Sequence, residues 1–164
     1  MTKAKKSQLR HASKGAVEIL LSQIKQEFTT PAGAIFDYLE IVERNINEAK
    51  LNASEELNQI KTGGERLIEE YEIAFKENTG PKASSQKKTP EEYSELRHNL
   101  RTPLNAVIGY SEILMEDLEE DLSEETTKDL KTIIDLARET EKAIERFVDY
   151  IRAVSYTHLR AHET

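Results

Sequence analysis

Apolar residues recur every three or four positions through most of this chain. Between Gln8 and Ala49 they fall at Leu9, Ala16, Leu20, Ile24, Phe28, Ile35, Leu39, Val42 and Ile46. That spacing belongs to a helix that turns one stripe toward a core, so one long helix is predicted here, with Pro31 placed to bend it. The stretch Asn52-Ala53-Ser54-Glu55 has the polar spacing of a capping box and opens a second helix, expected over 54–76 through Leu57, Ile60, Leu67, Ile68, Tyr71 and Phe75. Gly63 and Gly64 lie inside it, at about 1 kcal/mol each relative to alanine. Such a pair marks either close helix packing or a weak point, and the pattern alone does not separate the two.

After this helix the composition changes. Residues 78–90, NTGPKASSQKKTP, carry Gly-Pro and Thr-Pro with serine and lysine between them, the make-up of an exposed linker. Thr89 is then the predicted N-cap of a third helix, with Pro90 in its first turn and Glu91 and Glu92 favourably placed against the helix dipole. Tyr93, Leu96, Leu100, Pro103, Val107, Tyr110, Leu114 and Leu118 form its stripe, and its end is expected near Glu119. Ser123 restarts the chain as a fourth helix with a buried face at Leu130, Ile133, Ile134, Ala137, Ile144, Phe147, Val148 and Ile151. The fold class that follows is all-α: four long helices in two antiparallel hairpins, packed near +20° as a left-handed four-helix bundle. Each hairpin alone offers too narrow a core, so burying both stripes requires pairing, either within one chain or between two.

The two halves also resemble each other. With an offset of 72, KQEFTTPAGAIFDYLEIV from Lys25 falls on RHNLRTPLNAVIGYSEIL from Arg97, matching Thr30-Pro31 to Thr102-Pro103 and Tyr38 to Tyr110. A Thr-Pro pair inside a helix is uncommon enough to make this a candidate internal repeat. In that frame Gln26 stands where His98 does, Glu27 where Asn99 does, and Gly33 where Asn105 does.

Charged residues make up 33% of the chain and aromatic residues 6%, with no cysteine or tryptophan. This fits a helical bundle without disulfides or thiolate metal sites. A net charge of -8 argues against non-specific binding to nucleic acid or anionic lipid. The basic start, MTKAKKSQLRH, leads into no apolar run long enough for a signal peptide or a membrane span, so a cytoplasmic protein is expected.

Candidate chemistry gathers around one of the four histidines. His98 lies about 200° around the helix from Leu96 and about 160° from Leu100, so its imidazole is expected to face solvent or a docking partner. Most helical histidines carry no chemistry, but the neighbours of this one are unusual. Thr102 lies one turn on, Arg101 and Asn105 follow on the same side, and Pro103 removes the backbone donor that the Asn99 carbonyl would otherwise receive. An exposed nucleophile beside a loosened turn suits attack on a phosphoryl group delivered by another domain.

RHNLRTPLNAVIGYSEIL resembles the H-box of sensor histidine kinases, in their dimerisation and histidine-phosphotransfer domain, with His98, Arg101, Thr102, Pro103, Leu104 and Asn105 in register. The resemblance implies that His98 is the phosphoacceptor and that Thr102 helps to position water in dephosphorylation, with Arg101, Pro103 and Asn105 in support. Asn99 departs from the family, which usually carries a carboxylate there as general base; an amide can hold an imidazole but cannot take its proton. The first half, over 1–77, then resembles a degenerate copy whose Gln26, Glu27 and Pro31 replace the site, with 78–90 as linker and 91–153 as the H-box hairpin. Pairing of the two within one chain would mimic the family's homodimer.

No Walker loop, Gly-rich nucleotide lid or receiver pattern occurs in this sequence. The chain itself is therefore expected to hold no cofactor, with ATP and magnesium on a separate or missing kinase module, and a response-regulator receiver domain as the acceptor of the phosphoryl group. Two other readings stay open: a non-phosphorylated dimerisation or signal-transmitting scaffold, and a piece of a larger histidine kinase or receiver fusion. The final eleven residues, VSYTHLRAHET, change the charge pattern and resemble a translated sequencing-library adapter, so the natural frame is expected to end near Ala153. His158 and His162 within it have i,i+4 spacing but no third metal ligand nearby. His11 lies near the start, outside any Thr-Pro context.

Overall fold

A computed structural model describes residues 14–80 and 88–163, with side chains to Val154. The expected start of the first helix and the sequence contexts of His11, His158 and His162 lie outside the described residues or side chains. All regular structure among the described residues is helical, in four elements: α1 Lys14–Glu48, α2 Ser54–Thr79, α3 Pro90–Asp117 and α4 Glu124–Glu163. Both internal prolines are absorbed, and α1 and α3 run unbroken through Pro31 and Pro103.

Two of the three predicted caps form. Thr89 accepts a hydrogen bond from the Glu92 amide at 3.2 Å, and Ser123 accepts one from the Thr126 amide at 3.1 Å. The capping box at Asn52 does not form, a correction to the sequence reading. Ala53 takes the N-cap position of α2 without a side-chain hydrogen bond and is itself buried. The turn before it passes through Lys50 in the left-handed region, φ 60°, and draws Ala53 and Leu51 toward the core. Burial of this short apolar turn outweighs the roughly 1 kcal/mol of a polar cap. The second helix also runs one turn further than expected, to Thr79, where the Thr79 hydroxyl and the Asn78 amide both donate back to carbonyls four residues earlier.

Each helix packs on two neighbours around a square: α1 on α2 and α4, and α3 on α2 and α4, while the diagonal pairs barely touch. The broadest contacts run between the hairpins, α1 with α4 and α2 with α3. A single chain therefore closes the whole bundle. The buried positions keep register across the halves: Phe28, Pro31, Ala32, Ile35, Leu39 and Val42 are buried, and so are the residues 72 further on, Leu100, Pro103, Leu104, Val107, Ser111 and Leu114. On α2 and α4 the offset is 73, taking Ile60, Gly64, Leu67, Tyr71 and Ala74 to Ile133, Ala137, Thr140, Ile144 and Phe147.

The core is aliphatic along most of its length and aromatic at one end. Phe28 stacks on Tyr71 with centroids 3.6 Å apart and planes 4° from parallel, and Tyr71 meets Phe147 at 5.0 Å. This cluster joins α1, α2 and α4. Burial pushes the Tyr71 phenol above the ordinary tyrosine range, and the Glu27 carboxylate adds to the effect. Buried hydroxyls elsewhere are satisfied locally: Ser111 donates to the Val107 carbonyl at 2.7 Å and Thr140 to the Leu136 carbonyl at 2.8 Å.

Candidate functional site

The turn of α3 that carries His98 faces outward because Leu100, Pro103 and Leu104 on its other side are buried. His98, Asn99, Thr102 and Asn105 are exposed, as the helical spacing predicts. The Thr102 hydroxyl donates to the His98 carbonyl at 2.8 Å and lies 3.5 Å from the His98 Nε2. Its one proton is thereby committed to the backbone, and only its lone pairs remain to face the ring. Pro103, with no N–H, leaves the carbonyl of Asn99 without the usual helical donor in the very next turn. The backbone around His98 is thus held on one side by a side chain and released on the other.

Arg101 does not stand beside the imidazole as a free cation. Its Nη2 lies 2.8 Å from Glu145 Oε1 on α4 and 3.7 Å from Glu141 Oε1. Arg97, one turn earlier, puts its Nε 3.1 Å from the same Glu145 oxygen. The Glu145 carboxylate therefore sits between two guanidinium groups. These side chains are 27–40% exposed, so such pairs contribute little stability; they link α3 to α4 at the level of His98. Arg97, Glu141 and Glu145 were not picked out from the sequence. The readable signal was two i,i+4 pairs of like charge and opposite sign to each other, Arg97 with Arg101 and Glu141 with Glu145, on helices expected to be neighbours.

On the other side of α4 lies the corresponding turn of α1. Gln26 and Thr30 are exposed, Pro31 is buried, and Glu27 forms an ion pair with Arg146. An open cleft of about 740 Å³ runs there, lined by Gln23, Gln26, Glu27, Thr30, Lys142 and Arg146 among others. The segment of α4 around Glu141 to Arg146 thus braces both turns, one through Glu145 and one through Arg146. Glu27 and His98 lie on diagonal helices, so the carboxylate missing beside His98 is not supplied by the other half.

The site is thus an exposed histidine with a threonine one turn on, carried on one hairpin of a four-helix bundle. The comparison with known families adds one match: residues 92–155 are similar to the family described as His Kinase A (phospho-acceptor) domain. A curated relative, the "Non-motile and phage-resistance protein" of Caulobacter vibrioides, is 35% identical over 100 residues, which is 58% of this chain and 12% of that protein. The chain therefore spans about an eighth of that relative's length. No solved structure matches. No helix among the described residues is long and apolar enough to cross a membrane.

Proposed function

We propose that His98 is the phosphoacceptor of this module and that the phosphoryl group passes from it to an aspartate on a receiver domain. The observation that carries this reading is the placement of His98, exposed on the family-matched hairpin with the Thr102 hydroxyl 3.5 Å from Nε2. In the forward step an imidazole nitrogen attacks the γ-phosphorus of ATP held by a kinase module, the bond to ADP breaks, and the ring gives up its proton. In the onward step a receiver carboxylate attacks the same phosphorus and the N–P bond breaks. Asn99 cannot accept the ring proton, so water or a group of the kinase module takes it.

The first hairpin, 1–77, is read as a copy that keeps the pairing function and has lost the nucleophile. Its shared burial register with α3 and α4, and the Gln26-Glu27 pair at the histidine position, support this. It supplies within one chain the second half of a bundle that histidine-phosphotransfer hairpins otherwise complete with a partner. Each chain then carries one phosphorylatable face, and 78–90 joins the halves.

Labelling tests the assignment. A competent kinase module with ATP is expected to place an acid-labile, base-stable phosphoryl group on the protein and none on His98→Gln. Label that survives this substitution would move the site elsewhere. A protein that no kinase module or phospho-receiver labels would favour a non-phosphorylated scaffold.

A further inference from the structure

We infer that Gly63, on the hairpin without a histidine, is a positioning residue for His98: its bare backbone seats the Pro103 carbonyl of α3. The inference rests on the phosphoacceptor reading of His98. A β-carbon at position 63 would lie 3.0 Å from the Pro103 carbonyl oxygen, 3.2 Å from Val107 Cγ2 and 3.4 Å from Ala106 Cβ. The first of these neighbours is backbone and cannot turn aside. A side chain at 63 would force the α3 backbone back by a few tenths of an ångström, and the backbone it meets is that of the proline that follows the His98 turn.

The adjacent glycine behaves differently. A β-carbon at Gly64 would lie 2.8 Å from Phe36 Cζ, the far end of a half-buried ring on α1 that can swing away. Position 64 therefore touches the first half, and position 63 touches the histidine helix. The register also distinguishes the two proline turns. The positions on α4 that correspond to Gly63 and Gly64, 73 residues on, are Leu136 and Ala137, which both carry side chains. The close seat is thus built on the side of Pro103 and not on that of Pro31.

A physical consequence follows from the missing hydrogen bond. Because the Asn99 carbonyl receives no amide from Pro103, the turn between them lacks a hydrogen bond that stiffens a helix elsewhere. Its geometry is then set from outside, by what presses on Pro103. With Gly63 opposite, Pro103 is drawn toward α2, and the His98 turn is held at one angle against the Arg97, Arg101 and Glu145 clamp on the opposite flank. A methyl group at 63 would push the Pro103 backbone outward and rotate the imidazole away from a docked phosphoryl donor.

The test uses the full chain with Gly63→Ala and Gly64→Ala, measuring melting and the initial rate of His98 labelling over a range of kinase-module concentrations. For Gly63→Ala the plateau rate is expected to fall about three- to tenfold, the share of a roughly hundredfold loss per ångström that a shift of a few tenths of an ångström implies, with the half-saturating concentration unchanged because Gly63 is buried and the surface keeps its side chains. Gly64→Ala is expected to keep the native plateau. A native plateau in Gly63→Ala, or losses in both variants that merely track their melting, would overturn the inference while leaving His98 as acceptor. If Gly63→Ala does not fold, Ala106→Val widens the same seam from the α3 side, and a native plateau there overturns it equally. A native protein that takes no label overturns the phosphoacceptor reading and this inference with it.

Discussion

Removing the ring of Phe28 should test whether the first hairpin is held on α4 by the aromatic end of the core. Phe28 is fully buried on α1, stacked 3.6 Å above Tyr71 of α2, which in turn packs 5.0 Å from Phe147 of α4. Phe28→Ala deletes a fully buried aromatic side chain, a change that costs about 3–5 kcal/mol in a core that cannot collapse. Collapse is restricted here because Tyr71 is itself fully buried, with its hydroxyl directed at the Ile24 carbonyl, 3.5 Å away. Against a total stability of about 5–15 kcal/mol, the loss is large enough to read as a shift of the urea midpoint and small enough for the bundle to survive. Phe28→Leu, which installs the residue type found at position 100, should recover most of it. His98 lies on the diagonal helix, so labelling at temperatures below the transition should remain native. A loss below about 1 kcal/mol for Phe28→Ala would refute the claim that this cluster carries the pairing of the halves.

Four further outcomes are expected. Sedimentation at micromolar concentration should show a compact monomer, because one chain already fills all four sides of the bundle; an obligate dimer would mean that each hairpin pairs with another chain. His98→Gln should melt within about 0.5 kcal/mol of the native protein, since an exposed side chain carries little stability, and a loss above about 2 kcal/mol would show that the ring is structural. Asn99→Glu should raise the initial labelling rate, up to the roughly 10²- to 10⁴-fold of a positioned general base, if proton removal limits transfer; superimposable pH–rate profiles for the two proteins would show that it does not. For Tyr71 the folded pKa is raised above the unfolded one, so the unfolded state ionises first and stability falls as pH rises above about 10. Tyr71→Phe should flatten that alkaline loss without abolishing it, because burial raises the Tyr150 phenol as well. An unchanged alkaline slope in Tyr71→Phe would remove Tyr71 from the account.

The candidate site was legible in the sequence because its parts are neighbours along one helix. His98, Thr102 and Pro103 are separated by one turn, and helical periodicity alone puts the imidazole opposite Leu100 and Leu104. The caps at Thr89 and Ser123 were readable for the same reason: a hydroxyl and an amide three residues apart meet whenever a helix begins there. Local rules failed where burial competed with them. At Asn52 the polar spacing was right, but the chain gained more by tucking Leu51 and Ala53 against the core than by closing the box.

What only the tertiary structure decided concerns contacts between helices, which periodicity does not rank. It made Glu145 the shared partner of Arg97 and Arg101, and it put Arg146 one residue later against Glu27 on the opposite helix. It also resolved the two glycines. A Gly-Gly pair in a helix costs backbone entropy wherever it stands, so the sequence could mark the penalty and not its purpose. The backbone of α3 at Pro103 and the ring of Phe36 occupy the space that two β-carbons would need, and that space exists only once four helices have packed.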